Sequence, residues 1–370
     1  MKVLCERETL REALTIATSV IPNKSTRPAV ENVFVRADGD ALELVGTDLD
    51  VAVRYRVDNV KLEEPGTALV PARVASDFVR DLSGETVRLG SQGSSFLIES
   101  EDERCELTTI DPDEFPGVSQ FGEGEQGSVS VLGATFSRLV SRTSFAAARE
   151  AGRYAMHGIL VVIEDDELRM IATDGRRLAL ASATIDRNGE PLNQGPAIVP
   201  TKAMQLFCRV IDDPTEMVEI HFGENIFGLR TSKAEVFARL IDGDFPRYSA
   251  VVPSSTENLV EADAVTFGKK LKLVANVTSV DTRAVRISLE PGQMKILGRS
   301  DSTGEATAQL AIQYDGDPVD IVFNPDYLID GIKNCETDVL RLEFNQRNTP
   351  GKFTLGENYT YIVMPITVDT

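Results

Sequence analysis

The chain has 370 residues, of which 42% are hydrophobic and 26% charged, and 58 acidic residues against 38 basic ones give a formal net charge of −20 at pH 7. This composition is that of an ordinary globular protein and excludes a disordered chain. It also argues against a uniformly basic nucleic-acid-binding surface, although the distribution of charge matters more than its sum. No apolar run could span a bilayer and residues 1–5 have no signal-peptide core, so we expect a cytoplasmic protein.

The first third of the chain predicts two helices among short strands. A strand at 2–5 precedes a helix at 9–20, where Leu10, Ala13, Leu14 and Ala17 follow helical spacing. Strands are predicted at 29–37, 41–45, 51–57, 86–89, 95–100 and 105–109, and a second helix follows Pro71. The remaining two thirds predict helices at 134–148, 201–211, 265–277 and 325–335, again among strands.

Three stretches share one strand, turn and strand pattern, and their flanks repeat with them. The stretches are LELVGTDLDVAVR (42–54), LRMIATDGRRLAL (168–180) and MKILGRSDSTGEA (294–306). The helix-forming flanks are VPARVASDFVRDL (70–82), VPTKAMQLFCRVI (199–211) and FNPDYLIDGIKNC (323–335), and the spacing is about 125 to 130 residues. We therefore predict three copies of one α+β domain, at 1–121, 128–253 and 259–370, with linkers near 121–128 and 253–259.

Catalytic and metal-binding patterns are not found. His157 and His221 lack the spacing of a metal-ligand pair, and the chain has neither a phosphate-binding GxxxxGK[ST] loop nor a GxSxG elbow. Asp48 and Asp174 could serve as repeated general bases, but aspartate in a TDG-type turn more often caps its own backbone. We predict a non-catalytic protein without metal or cofactor, with an enzyme using these aspartates as the alternative.

The four cysteines are predicted to be buried, reduced thiols. Cys5, Cys105, Cys208 and Cys335 are far apart, show no CxxC spacing and lie among apolar neighbours.

Basic residues are concentrated on three of the predicted helices, which carry no acidic residue at all. These bases are Arg138, Arg142, Lys202, Arg209, Lys269, Lys270 and Lys272. Arg138 and Arg142 are four residues apart, so the pair is predicted to project from one face, opposite the apolar one. In an acidic protein this segregation favours a surface that contacts a phosphate backbone without reading sequence, and solvated helix faces are the alternative. The other helices and loops add bases accompanied by acids, and the candidates there are Lys24, Arg27, Arg73, Arg80, Arg149 and Lys333.

The full chain resembles the bacterial DNA polymerase III beta subunits, or beta sliding clamps. The resemblance rests on KSTRPAVEN (24–32), RYAMHG (153–158), ATDGRRLAL (172–180), LIDGDFPRY (240–248), FNPDYL (323–328) and VMPI (363–366), in the family's order. It implies three clamp domains per chain and a head-to-tail dimeric ring, lined inside by twelve helices and covered outside by sheet. It also implies a non-catalytic processivity factor that encircles duplex DNA and binds short peptides of polymerase and clamp-loader subunits.

The resemblance further implies a peptide-binding cleft between the second and third domains. The positions that match it are Met156, Thr173, Gly175, Arg176, Arg177, Leu178, Pro246, Val251, Asn324, Tyr327, Met364, Pro365 and Ile366. The chain departs from the family pattern at Arg176, where His is frequent, and at Thr282, Thr367 and Val368.

For the dimer we expect the edge strand near 105–109 to meet an edge strand of the third domain, because pairing hides both edges. Cys105, Leu107 and Val277 are the predicted interface residues, with Leu107 near Val277. A peptide-binding scaffold that does not encircle DNA is the alternative function.

Overall fold

The computed structural model describes residues 1–119, 121, 128–150, 152, 154–187, 195–279 and 283–367. Within them the three repeats follow one element order, except that the third repeat has one strand fewer before its second helix. The first repeat contains β1 (Lys2–Glu6), α1 (Arg7–Thr18), β2 (Asn32–Asp38), β3 (Ala41–Thr47), β4 (Val51–Val57), β5 (Lys61–Glu64), β6 (Gly66–Pro71), α2 (Ala72–Asp81), β7 (Thr86–Gln92), β8 (Ser95–Ser100) and β9 (Glu103–Thr108).

The second repeat contains β10 (Ser128–Leu132), α3 (Gly133–Thr143), β11 (Gly158–Glu164), β12 (Glu167–Thr173), β13 (Arg177–Thr184), β14 (Asp186–Arg187), β15 (Ala197–Pro200), α4 (Thr201–Val210), β16 (Met217–Phe222), β17 (Ile226–Arg230) and β18 (Ala234–Arg239). The third contains β19 (Asn258–Asp263), α5 (Ala264–Ala275), β20 (Val285–Glu290), β21 (Gln293–Ser300), β22 (Gly304–Ala311), β23 (Val319–Phe323), α6 (Pro325–Ile332), β24 (Val339–Phe344), β25 (Gly351–Gly356) and β26 (Tyr359–Val363).

The chain forms two compact units, and the second repeat contributes to both. The first unit holds a five-stranded sheet ordered β5-β1-β7-β8-β9 and a nine-stranded sheet ordered β14-β10-β16-β17-β18-β4-β3-β2-β6. Helix α1 packs on α2 and on β3 and β4. Its buried face is made by Leu10, Ala13, Leu14, Ile16 and Ala17, which confirms the predicted apolar spacing.

The second unit holds an eight-stranded sheet ordered β15-β11-β12-β13-β26-β25-β24-β19 and a four-stranded sheet ordered β22-β21-β20-β23. Helix α5 packs on α6 and on β21 and β22, with Phe267, Leu271 and Val274 buried. Helix α6 packs on β26.

Two sheets continue from one repeat into the next. In the first unit β18 pairs antiparallel with β4, from Ala234 opposite Tyr55 to Ala238 opposite Val51. In the second unit β26 pairs antiparallel with β13, from Arg177 opposite Val363 to Ala181 opposite Tyr359. The corresponding strands β9 and β22 are edge strands of their sheets.

The six predicted helices are all present in the described part of the chain, with ends shifted by a few residues. The predicted strand at 29–37 is wrong at its start, because Pro28–Glu31 form a 3-10 helix with the proline in its first turn. The predicted burial of the cysteines holds for Cys5 alone, since Cys105, Cys208 and Cys335 are half-buried. Burial raises the pKa of the Cys5 thiol to about 12.

The predicted domain limits stay a prediction. Most of the first predicted linker lies outside the described residues, and the second overlaps the start of β19. None of the helices in the described ranges is long and apolar enough to cross a membrane.

Candidate peptide groove and basic helices

The aspartates of the first two polar turns cap their own backbones. Asp174 Oδ1 accepts hydrogen bonds from the amides of Arg176 (2.9 Å) and Arg177 (3.0 Å). Asp48 Oδ1 accepts the equivalent bonds from Asp50 (3.0 Å) and Val51 (2.7 Å). This confirms the structural interpretation of these aspartates over their use as general bases.

Both turns also place one residue in the left-handed backbone region. Gly175 has φ +84°, and Leu49 has φ +80° at the same place in the first repeat. The side chains of Thr173 and Thr47 support the two turns in the same way, since each hydroxyl accepts from that left-handed residue's amide and donates to the carbonyl four residues after the threonine. Gly175 adopts this conformation without the steric cost that a side chain would add.

An apolar groove opens beside the second turn, within the second unit. Its floor includes Leu178 and Ile362, both buried in a core cluster that contains Ile171 and Ile198. The full lining is Thr173, Gly175, Arg176, Arg177, Leu178, Pro246, Tyr248, Val251, Ile362 and Met364. A small concave site with an apolar floor and a few polar groups at its rim suits an extended apolar peptide.

Eight of the thirteen predicted peptide-binding residues line this groove, and five do not: Met156, Asn324, Tyr327, Pro365 and Ile366. The Asn324 side chain caps helix α6 by accepting from the Asp326 amide at 2.8 Å. Sequence reasoning missed Tyr248, although it ends the LIDGDFPRY motif, and Ile362, which faces Leu178 across the β13–β26 pairing.

The residues after β26 extend its pairing with β13 and make a new backbone contact with β23. The Met364 amide donates to the Arg176 carbonyl at 2.9 Å, and the Ile366 amide donates to the Val322 carbonyl of β23 at 2.7 Å. Met364 remains 37% exposed at the groove. Thr282 and Val368, where the chain departs from the clamp pattern, lie outside the described residues.

The Arg177 guanidinium is held inside the second unit. It donates to Asp174 Oδ2 (3.1 Å), to Asp330 Oδ2 (2.9 Å) and to the Phe145 carbonyl (2.7 Å), and its carbon lies 4.5 Å from the centre of the Tyr327 ring. Burial works to lower its pKa, but the Asp330 hydrogen bond and nearby negative charge outweigh burial and raise it. Arg177 therefore stays charged.

Most of the predicted DNA-facing bases have the exposure that the prediction requires. The exposed or half-exposed bases that form no ion pair with a described carboxylate are Lys24, Arg27, Arg73, Arg138, Arg149, Lys202, Arg209, Lys269, Lys270 and Lys272. Two other bases are neutralised locally. Arg80 pairs with Asp77 and Asp81 at 2.7 and 3.0 Å, and Lys333 pairs with Asp330 at 3.1 Å.

The structure contradicts the prediction that Arg142 faces DNA. Arg142 is 2% exposed, pairs with Glu336 at 2.5 Å and lies 5.0 Å from the centre of the Tyr359 ring. Burial lowers its pKa, which the Glu336 charge partly offsets. Arg142 therefore braces the second repeat against the third, and only Arg138 of the pair reaches solvent.

The predicted interface residues stay a prediction. Leu107 is 9% exposed and lies opposite Phe96 in its own sheet. Cys105 is half-buried on the edge strand β9. The Val277 carbonyl accepts from Thr303 Oγ1 at 2.8 Å, which places Val277 beside the start of edge strand β22.

Family models of the DNA polymerase III beta subunit match nearly the whole chain: the N-terminal domain at residues 1–119, the central domain at 130–247 and the C-terminal domain at 249–367. A beta sliding clamp of Pseudomonas putida is 30% identical over 369 residues, covering 99% of this chain and all of that one. The chain belongs to the beta sliding clamp family. Members of this family are non-catalytic processivity factors of the DNA polymerase III holoenzyme.

Solved sliding clamps have the same fold over the full length. A Pseudomonas aeruginosa clamp solved with griselimycin bound is 28% identical, with a TM-score of 0.93 and complete coverage of both chains. A Bacillus subtilis clamp, at 23% identity, a TM-score of 0.94 and the same coverage, shows the likeness of fold alone.

Proposed function

We propose that two copies of this chain close into a ring that encircles duplex DNA and tethers polymerase and clamp-loader subunits through the peptide groove. The ring is supported by a sheet junction between neighbouring repeats that occurs twice in the chain. In both junctions the last strand of one repeat pairs with the β4-type strand of the preceding repeat. Only β9 and β22 lack that partner among the described strands. Pairing β9 of one copy with β22 of the other closes a ring with two-fold symmetry and hides both edges.

The repeats also predict the register of that pairing. Each repeat contains the same strand, turn and strand hairpin, and one equivalent pair of opposed residues can be picked out in each. These pairs are Gly46 with Val53, Ala172 with Ala179, and Gly298 with Ala306. Val53 in turn pairs with Val236 of the second repeat. Val236 and Cys105 are equivalent, because each lies five residues before the isoleucine that begins the repeated IDxD motif, Ile241 and Ile110 respectively. Cys105 of one copy should therefore lie opposite Ala306 of its partner.

Cross-linking tests this ring contact. With Ala306→Cys, mild oxidation should join two chains through the native Cys105, because directly opposed β-carbons lie about 4.5 to 5.5 Å apart. The matched control is Thr307→Cys, whose side chain is on the other face of β22 and should not cross-link. Equal cross-linking of both variants, or of neither, would contradict the register.

Sequence-independent DNA contact is supported by the exposed bases of α3, α4 and α5, namely Arg138, Lys202, Arg209, Lys269, Lys270 and Lys272. In a chain of net charge −20 these bases favour contact with a phosphate backbone, and the weak contacts allow sliding. The acidic remainder of the surface repels DNA.

The partner site is the groove, where peptides should bind with micromolar affinity, about 8 kcal/mol, concentrated in one or two buried anchors. Arg176 and the groove rim would orient the peptide backbone. We place the protein in the cytoplasm with its replication partners. The second candidate, a peptide-binding scaffold that does not encircle DNA, is favoured by the groove alone and leaves the two matching free edges without a role.

A further inference from the structure

The ion pair between Arg177 and Asp330 connects the groove's turn to the third repeat. Arg177 belongs to the second repeat and Asp330 to helix α6 of the third, and their side chains meet at 2.9 Å. The Arg177 side chain is 10% exposed, and the Asp330 side chain is 31% exposed. Asp330 does not line the groove.

Arg177 is part of the groove wall, and its backbone closes the turn. Its amide bonds to Asp174, its carbonyl accepts from Thr173 Oγ1 at 2.6 Å, and it precedes the floor residue Leu178. Any movement of Arg177 therefore moves the turn that carries Gly175 and Arg176 on the groove's rim.

The first repeat shows that the turn does not need this arginine. It has Val51 where the second repeat has Arg177, yet Asp48 and Thr47 make the same turn hydrogen bonds. The ion pair to α6 is thus an addition at the repeat that carries the groove. Its chemistry is that of a charge-assisted hydrogen bond in a mostly buried place, where such bonds are strong and directional.

We propose that Asp330 is a positioning residue for peptide binding, which sets the groove by anchoring Arg177 and with it the turn at Gly175. This inference rests on the proposed function of the groove. Asp330 touches no peptide itself. It acts together with the β13–β26 pairing, in which Arg177 lies opposite Val363, to set where the second repeat's turn lies relative to the third repeat's Met364. A peptide needs both sides of the groove at once.

The first test is Asp330→Asn in the 370-residue chain, with binding of griselimycin and of a fluorescent polymerase peptide measured by anisotropy and calorimetry. We expect about tenfold weaker binding of both probes, since a charge-assisted bond is replaced by a neutral one. The matched control is Asp326→Asn, which removes another α6 carboxylate from an arginine, Arg283, that belongs to the third repeat. That control should bind as the wild type does.

Two further readouts separate positioning from general destabilisation. The methyl NMR signal of Met364 should shift in Asp330→Asn without any peptide and stay in place in Asp326→Asn. Asp330→Glu should recover part of the affinity. If Asp330 acts through Arg177 and not through Lys333, combining Asp330→Asn with Arg177→Met should weaken binding no more than the stronger single change.

Two outcomes together would overturn this inference and leave the groove as the peptide site. Asp330→Asn would bind the peptide with unchanged affinity, and truncation of the wild-type chain before Met364 would abolish binding. Binding that survives the truncation would overturn both the groove assignment and the role of Asp330.

Discussion

Arg138 and Arg142 stand four residues apart on α3 and should respond to mutation in opposite ways. Arg142→Ala removes a buried cation from Glu336 and from the Tyr359 ring, and should lower the free energy of unfolding by about 2 kcal/mol while leaving the salt dependence of DNA binding unchanged. Arg138→Ala should have little effect on stability and should reduce the salt slope by about one phosphate contact. Urea unfolding and DNA binding at several salt concentrations measure both. A flattened salt slope for Arg142→Ala would contradict its assignment as a brace.

Asp263 gives a pH-dependent test at the start of α5. Its carboxylate accepts from the Thr266 amide at 2.7 Å, and the hydrogen bonds of the Thr266 side chain and amide hold its pKa below its ordinary value of 3.8. Its stabilising contribution is present above that ordinary pKa and is lost as the pH falls through the lowered one. Asp263→Ala should lower the urea midpoint at pH 7, and the difference from wild type should shrink at pH 3. Asp263→Asn keeps the acceptor and should stay close to wild type at pH 7. Equal midpoints for wild type and Asp263→Ala at pH 7 would exclude the cap.

Individual residues also show what local sequence patterns can and cannot predict. The TDG pattern was enough to predict that Asp174 caps its own turn, because all the partners lie within three residues. The spacing of Arg138 and Arg142 predicted one shared face, yet Glu336 and Tyr359 cover Arg142 from the third repeat. Local sequence cannot reveal partners that lie 194 and 217 positions away.

At the scale of elements, removal of the segment after β26 tests the peptide groove. Truncation before Met364 removes the bond to the Arg176 carbonyl and one side of the groove, and should abolish binding of polymerase and loader peptides. The dimer should remain, because the edge strands β9 and β22 pair with β8 and β21 and not with this segment. Anisotropy titration and sedimentation velocity measure the two outcomes.

A shorter truncation, after Thr367, is the control for that experiment. It keeps Met364 and the Ile366 amide bond to Val322, so peptide binding should persist. Equal losses in the two truncations would place the essential contacts beyond Thr367.

Element predictions were accurate where a pattern is local and incomplete where a strand's neighbour is distant. Six helices follow from apolar spacing and from proline positions. The pairings of Val53 with Val236 and of Ala179 with Tyr361 join segments about 180 residues apart, and side-chain alternation within a strand does not specify its partner. For the same reason Ile362 was not predicted as part of the groove floor.

At the scale of the whole molecule, the three repeats and the family resemblance predicted the clamp architecture, and the structure adds the reason why a chain of this kind should close. Each junction is a β-sheet that continues across two repeats. The third repeat of one chain therefore presents edge strand β22, which can pair in the same way with edge strand β9 in the first repeat of another chain. Closure makes attachment topological, which lets weak phosphate contacts permit sliding without release.

Retention on DNA of defined topology tests this central claim most directly. The protein is loaded by its clamp loader onto a singly nicked circular plasmid, separated from free protein at a salt concentration that suppresses phosphate contacts, and the plasmid is then cut once. The ring predicts stable retention on the circle and rapid loss from the linear product as it slides off the ends. Equal retention on circular and linear DNA, or retention on neither after loading, would contradict encirclement.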